Sequence, residues 1–76
     1  MGTVATVLTR AVSTAAGHDA NLDDNFFALG GDSLSAVEIL EEVERELNIA
    51  FPLEVLLSTG DLRDVAEQCR LLTLEQ

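Results

Sequence analysis

Three stretches of this chain repeat apolar residues at helical spacing, and no stretch alternates as a strand would. Val4, Val7, Leu8, Ala11, Val12 and Ala15 make the first stripe, with Thr6, Thr9, Arg10 and Ser13 on the opposite face. Ala36, Val37, Leu40, Val43 and Leu47 make the second, with Ile39 on its shoulder. Leu62, Val65, Ala66, Cys69 and Leu72 make the third. The Val55-Leu56-Leu57 run is too short to require a sheet, and Glu54 to Ser58 suit one short helical turn. The pattern predicts an all-α fold in one domain over residues 1–76, with helices at about 3–16, 33–47, 54–58 and 61–73.

Punctuation between these stripes supports the same reading. Thr3 and Asp61 offer capping oxygens, and Gly17 and Asn48 offer left-handed stops. Pro52 pushes Phe51 toward an extended conformation, and Gly60 breaks the short helix. Residues 18–32 form the one long connection, rich in Asp, Asn and Gly. Connections of that length without structure of their own are usually functional or disordered. Leu22, Phe26, Phe27 and Leu29 predict a loop pinned to the core, because exposing such side chains forgoes about 1.5–3 kcal/mol each.

Size and charge narrow the function. A domain of 76 residues buries roughly 60–65% of its unfolded surface, enough for a bundle core but not for an enclosed catalytic site with supporting shells. Fourteen acids face four arginines and no lysine, for a formal net charge of −10. Such a chain is ill suited to nucleic acid, whose affinity comes from neutralised phosphates, and is steered instead toward basic protein surfaces. A phosphate-binding glycine loop with its lysine is excluded. One cysteine excludes an internal disulfide and a cysteine metal cluster, and on its apolar face Cys69 reads as a small buried hydrophobe. The single histidine, His18, has no partner in sequence and is expected in solvent. No basic segment precedes a long apolar run, and no window reaches the roughly 18 apolar residues of a membrane span. Gly2 followed by Thr6 is a loose myristoylation pattern, read as accidental. The expectation is a soluble, monomeric, cytoplasmic protein. The opening Met and the end soon after the last helix favour a free-standing one.

Two motifs invite sharper readings and fail. Asp19-x-Asn21-x-Asp23 begins like an EF-hand, but Asp24 stands where glycine is needed and Gly30 where the bidentate Glu belongs. Gly31-Asp32-Ser33-Leu34 could be the nucleophile block of a serine hydrolase. Such an enzyme needs a downstream base, and the only histidine lies upstream, with no strand before the serine. Without a base the hydroxyl is unactivated, so the chain is read as no enzyme.

Leu29-Gly30-Gly31-Asp32-Ser33-Leu34 resembles the attachment site of phosphopantetheine-dependent carrier proteins, most of all the peptidyl carrier (thiolation) domains of nonribosomal peptide synthetases. The stretch from Asp24-Asn25-Phe26-Phe27 onward is similar to the peptidyl carrier pattern. Val37-Glu38 and Glu46-Leu47-Asn48-Ile49-Ala50-Phe51-Pro52 look like the second helix and exit of acyl carrier proteins. Gly60-Asp61 stands where Pro-Thr is usual, a departure that loses a rigid turn and keeps a capping side chain. The fold this implies is an acyl-carrier-like bundle of three main helices plus a short one, with the long loop between the first two.

The resemblance implies a 4′-phosphopantetheine arm on Ser33, installed from coenzyme A by a phosphopantetheinyl transferase. The arm's thiol holds aminoacyl or peptidyl groups as thioesters. Gly31 and Asp32 are the cofactor-side neighbours, and Asp32 is also the natural N-cap of the second helix. Implied partners are an amino acid-activating adenylation enzyme and condensation, tailoring or thioesterase enzymes. Leu34 lies about 120–140° from the centre of the expected core stripe, at 100° per residue, and with Glu38, Glu41 and Glu42 is the expected partner surface. Glu38/Glu42 and Glu42/Glu46 are like-charge pairs each unfavourable by about 0.2–0.5 kcal/mol, and Glu41/Arg45 is expected to offset only one. The alternatives are an acyl carrier of polyketide or fatty acid synthesis and, more remotely, an acidic interaction module without cofactor. A shallow groove between the second and third helices is the expected shelter for cargo.

Overall fold

The structure, a computed structural model, describes residues 2–74; Met1, Glu75 and Gln76 of the single-domain reading lie outside them. Four helices follow one another: α1 (Gly2–Ala16), α2 (Ser33–Leu47), α3 (Leu53–Thr59) and α4 (Leu62–Leu74). The expected all-α bundle of three main helices and one short helix is what forms. The only β-type pairing among the described residues is a single bridge between Asn25 and Asp61. Among the described residues no helix is long and apolar enough to cross a membrane.

α1 and α4 bury the faces their spacing dictates. Val4, Val7, Leu8, Ala11 and Val12 of α1 pack chiefly against α2, while Leu62, Val65, Ala66 and Cys69 of α4 close the other side. Leu56 of α3, Ile49 and Phe51 of the preceding connection, and Phe26 of the long loop fill the remaining core. No buried side-chain polar atom among the described residues lacks a partner, so the interior is purely apolar.

Two expectations about the helices are corrected. Thr3 lies inside α1 instead of capping it, since the helix already includes Gly2. The buried stripe of α2 is Ala36, Ile39 and Val43; Val37 is 45% exposed, and Leu40 and Leu47 are partly buried. Ala36, Leu40, Val43 and Leu47 fit either rotation of the helix, so the choice falls to Val37 or Ile39. Packing against α1 selects Ile39, the larger side chain, which is fully buried.

The turns use their own side chains. Gly17 ends α1 at φ +81, and Ser13 Oγ accepts from Ala20 N at 2.9 Å, tying the loop back to the helix. Asn48 ends α2 in the left-handed region, and Glu44 Oε2 accepts from Phe51 N at 2.9 Å to hold the connection to α3. Asp61 Oδ1 accepts from Arg63 N at 2.9 Å at the start of α4. The acids that mimic a calcium loop are turn formers: Asn21 Oδ1 accepts from Asp23 N, Asp24 Oδ2 from Asn21 N, and Asp23 pairs with Arg63.

The long loop is pinned as expected, except at Phe27. Phe26 is 2% exposed, Leu22 and Leu29 pack on the core, but Phe27 is 47% exposed. Adjacent residues in an extended or turning chain point apart, so only one ring of the pair enters the core. Phe27 instead meets the edge of Phe26, with ring centroids 5.4 Å apart.

Candidate functional site

The site is built where the loop turns into α2. Gly30 sits at φ +86, and Gly31 N donates to Phe26 O at 3.0 Å. A β-carbon on Gly31 would lie 2.6 Å from Phe26 Cδ1, so only glycine lets the ring sit directly beneath this turn. Asp32 follows in extended conformation. Its Oδ1 accepts from Ser35 N at 2.9 Å and its carbonyl accepts from Ala36 N at 2.9 Å, which makes it the N-cap of α2.

That cap sets a charge. The Ser35 N–H, then the Ser35 side chain, hold the Asp32 carboxyl below the ordinary value of 3.8. A lowered folded-state value means stability that is present above pH 3.8 and lost as pH falls through the folded value. Asparagine caps almost as well but carries no charge. Asp32→Asn is therefore expected to be less stable than wild type at pH 7 and to converge with it under acid, read from urea midpoints across pH. A constant gap from pH 7 down to pH 2 would refute the assignment.

Ser33 is exposed at the first position of α2. Its hydroxyl stands at the positive end of the dipole of a helix of 15 residues, where an anion is favoured. Leu34 is 71% exposed and lies about 170° from the buried stripe, at 100° per residue. Val37, Glu38 and Glu41 are exposed on the same outward side. Arg45 pairs with Glu42, one residue off the expected Glu41, because three and four residues are both one turn away on a helix. Glu46 pairs with Arg10 of α1 at 3.6 Å. With Arg63 on Asp23 and Arg70 on Glu67, all four arginines are taken, and among the described residues none pairs with Glu38 or Glu41.

Other candidates fall away. Cys69 is fully buried, and burial pushes its thiol up to about 11. His18 is exposed, with Nδ1 3.1 Å from Asp19 O. Among the described residues no group of acids, histidine and cysteine is placed to hold a metal ion. A small cavity near the serine lies between α1, the loop and α2. It is lined by Val12, Phe26, Leu29, Gly31, Ser35 and Ile39 among others and measures about 70 Å³, space for a few water molecules.

One residue of the site was not singled out from sequence. Asn25 Oδ1 accepts from Phe27 N at 2.9 Å and Ala28 N at 3.3 Å, while its Nδ2 donates to Thr59 O at 3.2 Å. It shapes the loop and ties it to the end of α3. An asparagine opening a turn is the signal that marks it.

Residues 4–69 match the family described as phosphopantetheine attachment site. The chain belongs to that family. Among curated relatives, the carrier domain is 36% identical over 69 residues to malformin synthetase mlfA of Aspergillus vadensis, covering 91% of this chain and 1% of that protein. It is 41% identical over 44 residues to gramicidin S synthase 2 of Brevibacillus brevis, covering 58% of this chain and 1% of the synthase. Indigoidine synthase of Dickeya dadantii is 41% identical over 46 residues, 60% of this chain and 3% of the relative. The carrier domain thus spans only a few hundredths of the length of the proteins it is similar to. No solved structure gives a significant match.

The cofactor of this family is 4′-phosphopantetheine, a tether whose terminal thiol supplies thioester chemistry when bound. An acceptor for its phosphodiester needs an exposed hydroxyl, an approach free of side chains and a nearby positive potential. Ser33, exposed, with Gly30 and Gly31 before it and set at the start of α2, fits these needs, with the Asp32 carboxylate beside it opposing the helix dipole.

Proposed function

We propose that this domain is a non-catalytic peptidyl carrier, which holds aminoacyl and peptidyl intermediates as thioesters on an arm attached at Ser33. The observation that carries the reading is an exposed serine at the first turn of α2, behind a glycine pair, in a chain of the phosphopantetheine attachment family. The names of its relatives, synthetases of peptides such as gramicidin S, support the peptidyl over the acyl type. The chain itself supplies presentation. Asp32 caps and orients the helix, Gly31 lets the turn settle on Phe26, and Ser33 Oγ faces solvent where a separate transferase reaches it. Its partners in this reading are that transferase, an adenylation enzyme and the condensation, tailoring or thioesterase enzymes of one assembly line. The cytoplasm is the compartment we propose, as the place where coenzyme A and a transferase meet the chain.

The test is to incubate the protein with coenzyme A and a broad-specificity phosphopantetheinyl transferase and weigh it intact. A gain of one phosphopantetheine is expected; no gain overturns the reading. Offered next to amino acid-activating and acyl-activating enzymes, the loaded protein is expected to take cargo from the former.

The outward face of α2 is the partner surface in this reading. Leu34 is largely exposed, so Leu34→Ala is expected to leave the free energy of urea unfolding within about 0.5 kcal/mol of wild type while slowing transfer to partner enzymes. Charge reversal at Glu38 and Glu41 is expected to lower the association rate and flatten its salt dependence. Unchanged kinetics in both variants would remove this face from the interface.

A further inference from the structure

Two glycines far apart in sequence bracket the two phenylalanines. A β-carbon on Gly31 would lie 2.6 Å from Phe26 Cδ1, and one on Gly60 would lie 2.6 Å from Phe27 Cδ2 and 2.9 Å from Asn25 Oδ1. The two rings touch edge to face, centroids 5.4 Å apart. Gly60 at the α3–α4 turn, Phe27, Phe26 and Gly31 therefore form one continuous stack ending two residues before Ser33. Backbone hydrogen bonds run beside it: Phe26 N donates to Gly60 O at 2.7 Å, and Gly31 N donates to Phe26 O at 3.0 Å. Asn25 Nδ2 on Thr59 O adds a third tie at the same turn.

From this juxtaposition we infer that Gly60 is a positioning residue for the modification of Ser33, acting through Phe27, Phe26 and Gly31. Gly60 is buried, so whatever it does to Ser33 passes through the stack and the hydrogen bonds beside it. It is also confined to glycine twice over. Its φ is +68, and the space a side chain would need is occupied by the Phe27 ring and the Asn25 amide. A side chain there must displace the ring, and the ring leans on the one that supports the turn before Ser33. The inference rests on Ser33 being the attachment site.

A built-in control separates positioning from simple destabilisation. Gly17 also has a left-handed φ, +81, but a β-carbon there meets nothing within 4 Å. Gly17→Ala therefore carries the same kind of backbone strain without touching the stack. With wild type, Gly60→Ala and Gly17→Ala all folded at the assay temperature, arm transfer to Gly60→Ala is expected to slow by about tenfold in kcat, since small misplacements of a reacting group cost up to about 10²-fold. Transfer to Gly17→Ala is expected to match wild type. Amide NMR signals of Gly31 to Leu34 should move in Gly60→Ala and stay in Gly17→Ala.

Removing the ring clears the nearest obstacle to the new methyl and leaves the Asn25 amide at 2.9 Å. Gly60→Ala combined with Phe27→Ala is expected to be loaded faster than the product of the two single effects would give, so the two effects do not multiply. Equal loading of Gly60→Ala and wild type, equal slowing of Gly17→Ala, or effects that multiply would each overturn the inference. Should Gly60→Ala not fold, Phe27→Ala decides, because its ring is half exposed and its loss is tolerated: unmoved signals at Gly31 to Leu34 overturn the inference, moved ones support it. A wild-type protein that accepts no arm would overturn the attachment reading itself, and the NMR arm would still test the coupling.

Discussion

Ser33→Ala is expected to abolish the gain of a phosphopantetheine while leaving the fold untouched. In the function proposed above the hydroxyl is the acceptor, so its removal leaves no oxygen in place for the bond. No substitute is at hand. Ser35, two residues on, turns toward the cavity beside Ile39 and is partly buried, and its N–H already serves the Asp32 cap. The fold does not depend on Ser33, because the cap of α2 is Asp32 and the Ser33 side chain is exposed. The free energy of urea unfolding should therefore stay within about 0.5 kcal/mol of wild type. Intact mass spectrometry after incubation with coenzyme A and transferase reads the first part, and denaturation the second. An arm found on the variant would move the attachment elsewhere.

The second large effect is on stability. Phe26→Ala removes a ring that is 2% exposed, wedged between the loop and the core, and should cost about 3–5 kcal/mol. At about 0.05–0.15 kcal/mol per residue, a domain of 76 residues has roughly 4–11 kcal/mol in all. The variant is then expected to be largely unfolded or to melt some tens of degrees lower, since about 1 kcal/mol moves the midpoint of so small a domain by about 4–8 °C. Phe27→Ala, whose ring is half exposed, should cost far less. The contrast is the test: equal losses for the two variants would mean that the ring beneath Gly31 is not a core residue.

Why some of this was legible in the sequence and some not follows from particular side chains. The stripes of α1 and α4 admit one rotation each, so their buried faces could be read from spacing. In α2 the positions 36, 40, 43 and 47 are apolar whichever way the helix turns, and only packing on α1 chose Ile39 over Val37. The capping role of Asp32 is local chemistry and needs no tertiary knowledge. The partner of Arg45 is not, because Glu41 and Glu42 lie on adjacent turn positions and the structure picks by rotamer. Gly60 was visible as a helix breaker, yet its seat under Phe27 spans 33 residues and leaves no trace in spacing. The cavity beside the serine leaves no trace in spacing for the same reason, as its wall is drawn from three separate segments.

The burial of Cys69 has a consequence for how the working protein is assayed and for what it can do wrong. Its sulfur is fully enclosed and, at a pKa of about 11, almost wholly a thiol at neutral pH. Exchange needs a thiolate that can reach the ester, so cargo riding on the arm has no second sulfur in this chain onto which to stray. A thiol reagent added to the folded carrier, once every chain bears its arm, then counts arms that are empty, and its silence reports arms that are charged.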